Sequence, residues 1–267
     1  MAFKGLFDMG EAATGAVDWL AMNHKSKPAA MIDPETLFDF QQVRPKVRIG
    51  VNGAREITWP ANNVVWAKTQ DGSRDLVLLS GVEPNLKWRS FSDTLRELIE
   101  ITGSELVVTL GASLGMVPHT RALPVAASTS DPELGDRLGV GKPSYEGPTG
   151  LVGSLHHELG LNNIPSVSLR VTVPHYVPGA PSPKATAALL DRFERLSGIH
   201  TDHAGLADEI RDWDSRVFQA LSSDDEVKEY VEDLERKADD QPSMLFEEEV
   251  DMAEEIERFL RSRGDED

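Results

Sequence analysis

Apolar residues recur along this chain in two rhythms. Short runs rich in valine, leucine and isoleucine lie at 75–80 (Asp-Leu-Val-Leu-Leu-Ser), 106–110 (Leu-Val-Val-Thr-Leu) and 167–173. Each is nearly continuous and is bounded by turn-forming residues, the pattern of a strand buried on both faces. The run 106–110 is the expected central strand, ended by Gly111, with a further strand over 122–127. Shorter strands are expected at 29–32 and 64–68. Between these two, Val47, Ile49 and Val51 alternate, Asn52-Gly53 turns, and Arg55, Ile57 and Trp59 return as a hairpin. The second rhythm is helical. It places a helix over 10–23 on Ala13, Ala16, Val17 and Leu20, and a short helix begins at Asp33-Pro34. Another is capped by Ser90 or Ser92, with Leu95, Leu98 and Ile99 inward. Helices follow over 132–138 and 151–159. Ser182-Pro183 then caps a helix along Ala185, Leu189, Phe193 and Leu196 that stops at Gly198. Beyond residue 200 only helices are expected: one on Leu206, Ile210, Trp213, Val217 and Leu221, one on Val227, Tyr230, Val231 and Leu234, and a last along Val250, Ala253, Ile256 and Leu260. Strands alternating with helices, then helices alone, predict a three-layer α/β/α body over 1–200 with a helical extension over 201–267 packed on it.

Charge sharpens that division. The 267 residues carry a net charge of −18, and residues 201–267 hold 24 acids against 8 bases. The first 200 residues are close to neutral, with 21 acids and 19 bases. The extension therefore reads as solvated helix faces or as a surface for a basic partner, and binding to nucleic acid is not expected. The absence of cysteine excludes disulfides, thiolate metal sites and cysteine nucleophiles, and it suits a reducing cytoplasm. No run has the length of a membrane span, and no signal peptide is expected at the start.

Candidate chemistry gathers in loops at the presumed carboxyl ends of the strands, where ligands bind in open α/β sheets. These loops hold Gly5, Asp8, Gly10 and Glu11; Gly81 and Glu83; Gly111, Ser113, His119 and Arg121; Glu146, Gly147 and Thr149; and His175. They are candidates for lining a ligand cleft, and no catalytic residue is assigned among them. The first glycines match neither dinucleotide nor P-loop spacing, and Asp8 and Glu11 put negative charge where a phosphate would sit. Gly111-Ala-Ser113-Leu-Gly115 matches the nucleophile-elbow string. Pro118, however, falls where the helix after an elbow should begin. His119 and His175, each following a proline, are possible general bases without an identified partner. His156-His157-Glu158 is read as a polar helix face, because adjacent helical histidines diverge and cannot share an ion. No metal and no cofactor are expected.

Several stretches together carry a family resemblance: Gly81-Val-Glu-Pro-Asn-Leu-Lys-Trp-Arg89, Val107-Val-Thr-Leu-Gly111 with Val117-Pro-His-Thr-Arg121, Tyr145-Glu-Gly-Pro-Thr-Gly150, and Val173-Pro-His-Tyr-Val177 with Pro181-Ser-Pro-Lys-Ala-Thr186. The chain resembles the actinobacterial branch of the PAC2 family, named after a proteasome assembly chaperone. The resemblance implies an α/β/α fold like that of purine nucleoside phosphorylases. It also implies homo-oligomerisation, as a trimer, and contacts with proteasome subunits. Some members end in a hydrophobic-Tyr-x tail that docks between proteasome α-subunits. This chain ends Gly264-Asp-Glu-Asp267, so that route is not expected. The leading expectation is a non-catalytic, oligomeric interaction protein. Its rival is a binder or enzyme for a nucleoside or phosphorylated ligand in the strand-end cleft.

Overall fold

A computed structural model describes residues 1–240 apart from 70, 71, 73, 178, 180 and 223. Nine strands and seven α-helices are placed among these residues. A four-stranded sheet has the order β1 (Ala2–Lys4), β6 (Asp75–Val82), β5 (Asn62–Lys68), β2 (Lys27–Ile32). A three-stranded sheet has the order β7 (Val107–Gly115), β9 (Ser166–Pro174), β8 (Val125–Ser128). Both sheets are mixed: β1–β6 and β7–β9 are parallel, while β5–β6, β2–β5 and β8–β9 are antiparallel. Backbone hydrogen bonds join the sheets edge to edge across β1 and β7. The Leu110 N–H donates to the Met1 carbonyl at 2.9 Å and the Ala112 N–H to the Phe7 carbonyl at 2.7 Å. The hairpin expected around Asn52-Gly53 forms as β3 (Lys46–Ile49) and β4 (Arg55–Thr58), but it stands as its own two-stranded sheet with every strand residue exposed.

The pleat of β6 sorts the core. Leu76 and Leu78 belong to one apolar cluster, and Leu79, with Val77 packed beside it, to another, so the clusters lie on opposite faces. On the first face α1 (Ala12–Asn23) packs on α5 (Pro183–Ser197). Ala12, Ala13 and Ala16 are fully buried, and Gly15 has only a 3.2 Å gap to Thr186 where a Cβ would stand, so these two helices approach closely. On the second face lie α2 (Trp88–Thr102) and α4 (Leu151–Leu161). Their Phe91, Leu95, Leu151, Leu155 and Leu159 are almost wholly buried, and Phe91 meets Phe3 edge-to-face at 5.7 Å. A short α3 (Pro132–Leu138) is capped by Asp131, whose carboxylate accepts from the Glu133 and Leu134 amides. The C-terminal helices are α6 (Ala207–Leu221), with Trp213 and Val217 buried, and α7 (Asp225–Asp240), with Val231, Leu234 and Ala238 buried. The helix expected along Val250 to Leu260 lies outside the described residues.

Four local expectations are corrected. Gly111 does not end the central strand: β7 runs on to Gly115 paired with β9, and the missing side chain at Gly115 leaves room for Thr172, which a Cβ there would meet at 2.3 Å. β8 starts at Val125 rather than 122, since Pro124 has no N–H to give a ladder. Neither Ser90 nor Ser92 caps α2. The helix begins at Trp88 after Lys87 takes a left-handed conformation, the Trp88 indole N–H bonds the Pro84 carbonyl at 2.5 Å, and Ser92 is buried inside the helix. No helix forms at Asp33-Pro34. One turn closes there, with the Leu37 and Phe38 amides on the Pro34 carbonyl, and the Leu37 carbonyl is then taken by the Leu86 amide from a distant segment.

Candidate functional site

The parallel pairing of β1 with β6 and with β7 puts their carboxyl ends at one edge, and the predicted loops do meet there. They divide into two neighbourhoods, and in each several charged and polar groups bind other parts of the same chain.

The first surrounds Glu83, just past β6. Its Oε1 accepts the Leu151 N–H at 3.0 Å, so the carboxylate satisfies the first turn of α4 and faces the positive end of its dipole. Gly5 lies against this side chain so closely that a Cβ would stand 2.6 Å from Glu83 Oε2. Gly150 is held against the Phe7 ring, and the Arg170 guanidinium lies over that ring at 5.2 Å from its centre. Thr149 folds over Gly153, where a Cβ would come within 2.0 Å of its hydroxyl. Gly147 sits beside the Tyr145 hydroxyl, which donates to the Pro148 carbonyl, and Glu146 is exposed on the same loop. Gly81 is pressed on Asn62, whose side-chain oxygen accepts the Val82 N–H.

Next to this cluster Asp8 starts α1. One carboxylate oxygen accepts the Ala13 and Thr14 amides at 2.9 and 3.0 Å, and the other accepts the Thr14 hydroxyl. Burial raises its pKa, against the pull of these hydrogen bonds. The amides that could hold an anion are thus already occupied by the chain's own. Gly10 and Glu11 both take left-handed backbone conformations in the turn before α1, and Glu11 pairs with Lys4 at 3.4 Å on the surface. Asp8, Glu11 and Glu83 are therefore each engaged with a different partner, and Glu146 is exposed.

The second neighbourhood lies past β7 and β9. His119 is buried; its N–H donates to the Tyr176 hydroxyl at 2.8 Å, and that hydroxyl lies 2.8 Å from its Nδ1. Burial holds the His119 pKa down, with Lys184 as a smaller cause, and burial pushes Tyr176 up to about 12. Lys184 also bonds the His119 carbonyl. Helix α7 closes over this group. Arg121 grips Asp239 with two hydrogen bonds of 2.8 Å and lies 3.6 Å from Glu235; Thr120 bonds Glu235 as well. The guanidinium lowers the Asp239 pKa through these bonds. His175 is exposed, with Nδ1 on the Gly115 carbonyl at 3.2 Å and Nε2 3.4 Å from the Tyr230 hydroxyl of α7. Ser113 is half-buried inside β7, opposite Thr172, on a strand rather than at an elbow.

Sequence reasoning missed Tyr176 and Lys184 and misread His156. The latter does not lie on an outer polar face. It turns toward the sheet, 2.7 Å from the Thr109 hydroxyl and 3.1 Å from that of Ser166, and burial drives its pKa down to about 4. Thr109, the one hydroxyl within the apolar run 106–110, was the available signal, since a buried hydroxyl needs a partner. Among the described residues no cluster of three or more histidine or acidic side chains is placed to hold a metal ion.

The PAC2 family model matches residues 2–221. A PAC2 family protein of Streptomyces avermitilis is 43% identical, with a TM-score of 0.80 over 86% of this chain and 97% of its own. A proteasome-assembly chaperone homologue of Mycobacterium tuberculosis is 38% identical, with a TM-score of 0.78 over 86% of this chain and 98% of its own. An archaeal proteasome activator of Pyrococcus furiosus shares the fold at 18% identity, with a TM-score of 0.64 over 82% of this chain and 92% of its own. No curated protein matches.

Proposed function

The chain belongs to the PAC2 family, and from that premise we propose that it is a non-catalytic interaction protein of proteasome assembly that works as a homo-oligomer, a trimer. The observation that carries the non-catalytic reading is the use of the strand-end groups within the chain. His119, Arg121 and His175 hold Tyr176 and α7, while Asp8 and Glu83 hold helix starts. The naming of a 38% identical relative as a proteasome-assembly chaperone homologue supports the choice of partner. We place the protein in the cytoplasm, with residues 1–200 as the PAC2-like core and 201–267 as an acidic extension. Helices on both faces of the strands support a three-layer architecture like that of purine nucleoside phosphorylases, and a shared architecture brings no catalytic site with it. Affinity purification of the tagged protein from its own cells tests the reading. Proteasome α- or β-subunits are expected in the eluate at a stoichiometric level; an eluate without them refutes it. The rival ligand-cleft reading predicts a thermal shift with nucleosides, nucleotides or phosphate, equivalent to about 2.7 kcal/mol at 100 times the dissociation constant. No shift is expected.

A further inference from the structure

The β3–β4 hairpin is the least covered apolar element of the chain. Val47 and Ile57 are cross-strand partners and share a face with Ile49, yet they are 52%, 59% and 68% exposed, and Val51 at the tip is fully so. A two-stranded hairpin whose apolar face meets water is marginal by itself, and a clustered apolar face of this kind marks an interaction site. Its charge is also against the trend of the molecule. Residues 44–59 carry four bases and one acid in a chain of net −18.

Elsewhere the chain holds a surface of the opposite character. Between α1, the start of α5, and α6 runs an open groove of about 800 Å³. Trp19, Met22 and Leu206 are among its apolar lining residues, and Asp18, Glu209 and Asp212 among its acidic ones. Acids outnumber bases along it, four to two. Met22 is 63% exposed despite lying in the groove. Within one chain the hairpin and the groove leave each other uncovered.

We propose that the hairpin of one copy docks in the α1–α6 groove of the next, joining copies head to tail. The apolar face of Val47, Ile49 and Ile57 then meets the apolar lining, and Arg55, the cross-strand partner of Ile49 on that same face, meets the acidic groups of the groove. A hairpin and a groove are different patches, so the contact is heterologous, and repetition closes a ring. This inference rests on the homo-oligomer reading above and assigns that oligomer its contact surfaces.

Light-scattering mass measurement of charge-reversed chains tests it. Arg55→Glu is expected to weaken self-association at least ~10-fold, and adding Glu209→Arg with Asp212→Arg to that chain is expected to restore it. The chain has no cysteine, so mixed Val51→Cys and Met22→Cys chains contain one thiol each; a disulfide between the two variants is expected on oxidation. A monomeric wild-type protein overturns both this inference and the homo-oligomer reading. An oligomer that ignores the charge reversal and gives no mixed disulfide overturns the inference alone. If the hairpin's amide protection instead disappears on removing residues 241–267, that acidic segment covers the hairpin and the proposal fails.

Discussion

The strand ends and the β3–β4 hairpin make an instructive pair. Both were marked by strong local sequence signals, glycine-rich loops with histidines in one case and Asn-Gly between alternating runs in the other. At the strand ends Asp8, Glu83, His119 and Arg121 find partners within the chain, and the glycines are sites of close approach, as at Gly5 and Gly81, where a Cβ would overlap Glu83 or Asn62. The hairpin, in contrast, spends its strand hydrogen bonds internally and leaves its apolar side chains in water. Residues that look like chemistry are absorbed into folding, and residues that look like ordinary strand are left exposed. Buried polar groups must be satisfied, whereas nothing in one chain obliges an apolar surface residue to be covered.

The comparison can be broken first at Leu234, which is 1% exposed on α7. Leu234→Ala is expected to cost about 2–5 kcal/mol in urea denaturation, whereas Ile49→Thr on the hairpin should change the unfolding free energy of the isolated monomer by less than about 0.5 kcal/mol. Equal losses would mean the hairpin is as well packed as the strand ends. His156 gives the next largest effect. Its folded pKa, about 4, lies below the ordinary value of 6.5, so the unfolded chain takes up the proton first. The contribution of neutral His156 is complete above pH 6.5 and is lost as pH falls toward 4. It amounts to about 3 kcal/mol, read as the difference between wild type and His156→Gln across that range. A histidine resonance titrating near 6.5 for this residue would contradict its burial.

Tyr176→Phe removes the acceptor of the His119 amide and the partner of its ring nitrogen. It is expected to cost about 1–3 kcal/mol, read in urea denaturation; an unchanged stability would show that this hydroxyl holds nothing. The smallest effect belongs to Arg121→Ala, because its pair with Asp239 is exposed. Faster amide exchange in the last turn of α7, with global stability almost unchanged, is the expected result; loss of the whole helix would show that Arg121 anchors more than its own turn.

Most of the fold was legible because it follows from periodicity. The runs at 75–80 and 167–173, the Ser182-Pro183 start and the Gly198 stop of α5, and the Asn-Gly hairpin all fall where local chemistry puts them. What failed was decided by distant partners. The strand runs past Gly111 along the whole of β9, with Gly115 leaving room for Thr172, and the Leu37 carbonyl is taken by the distant Leu86 amide. The candidate residues were found at the right edge, but their occupation was not legible. The Arg121–Asp239 pair spans 118 positions and the His119–Tyr176 pair 57, and no local pattern announces either.

The central claim, that this PAC2-family chain serves assembly rather than chemistry, is tested most directly by reconstitution. Purified proteasome α- and β-subunits are mixed with and without the protein, and particle formation is followed by native mass spectrometry. The account predicts a complex of the protein with subunits and a faster approach to the complete particle. An identical time course, with no subunit bound to the protein at any stage, would contradict it.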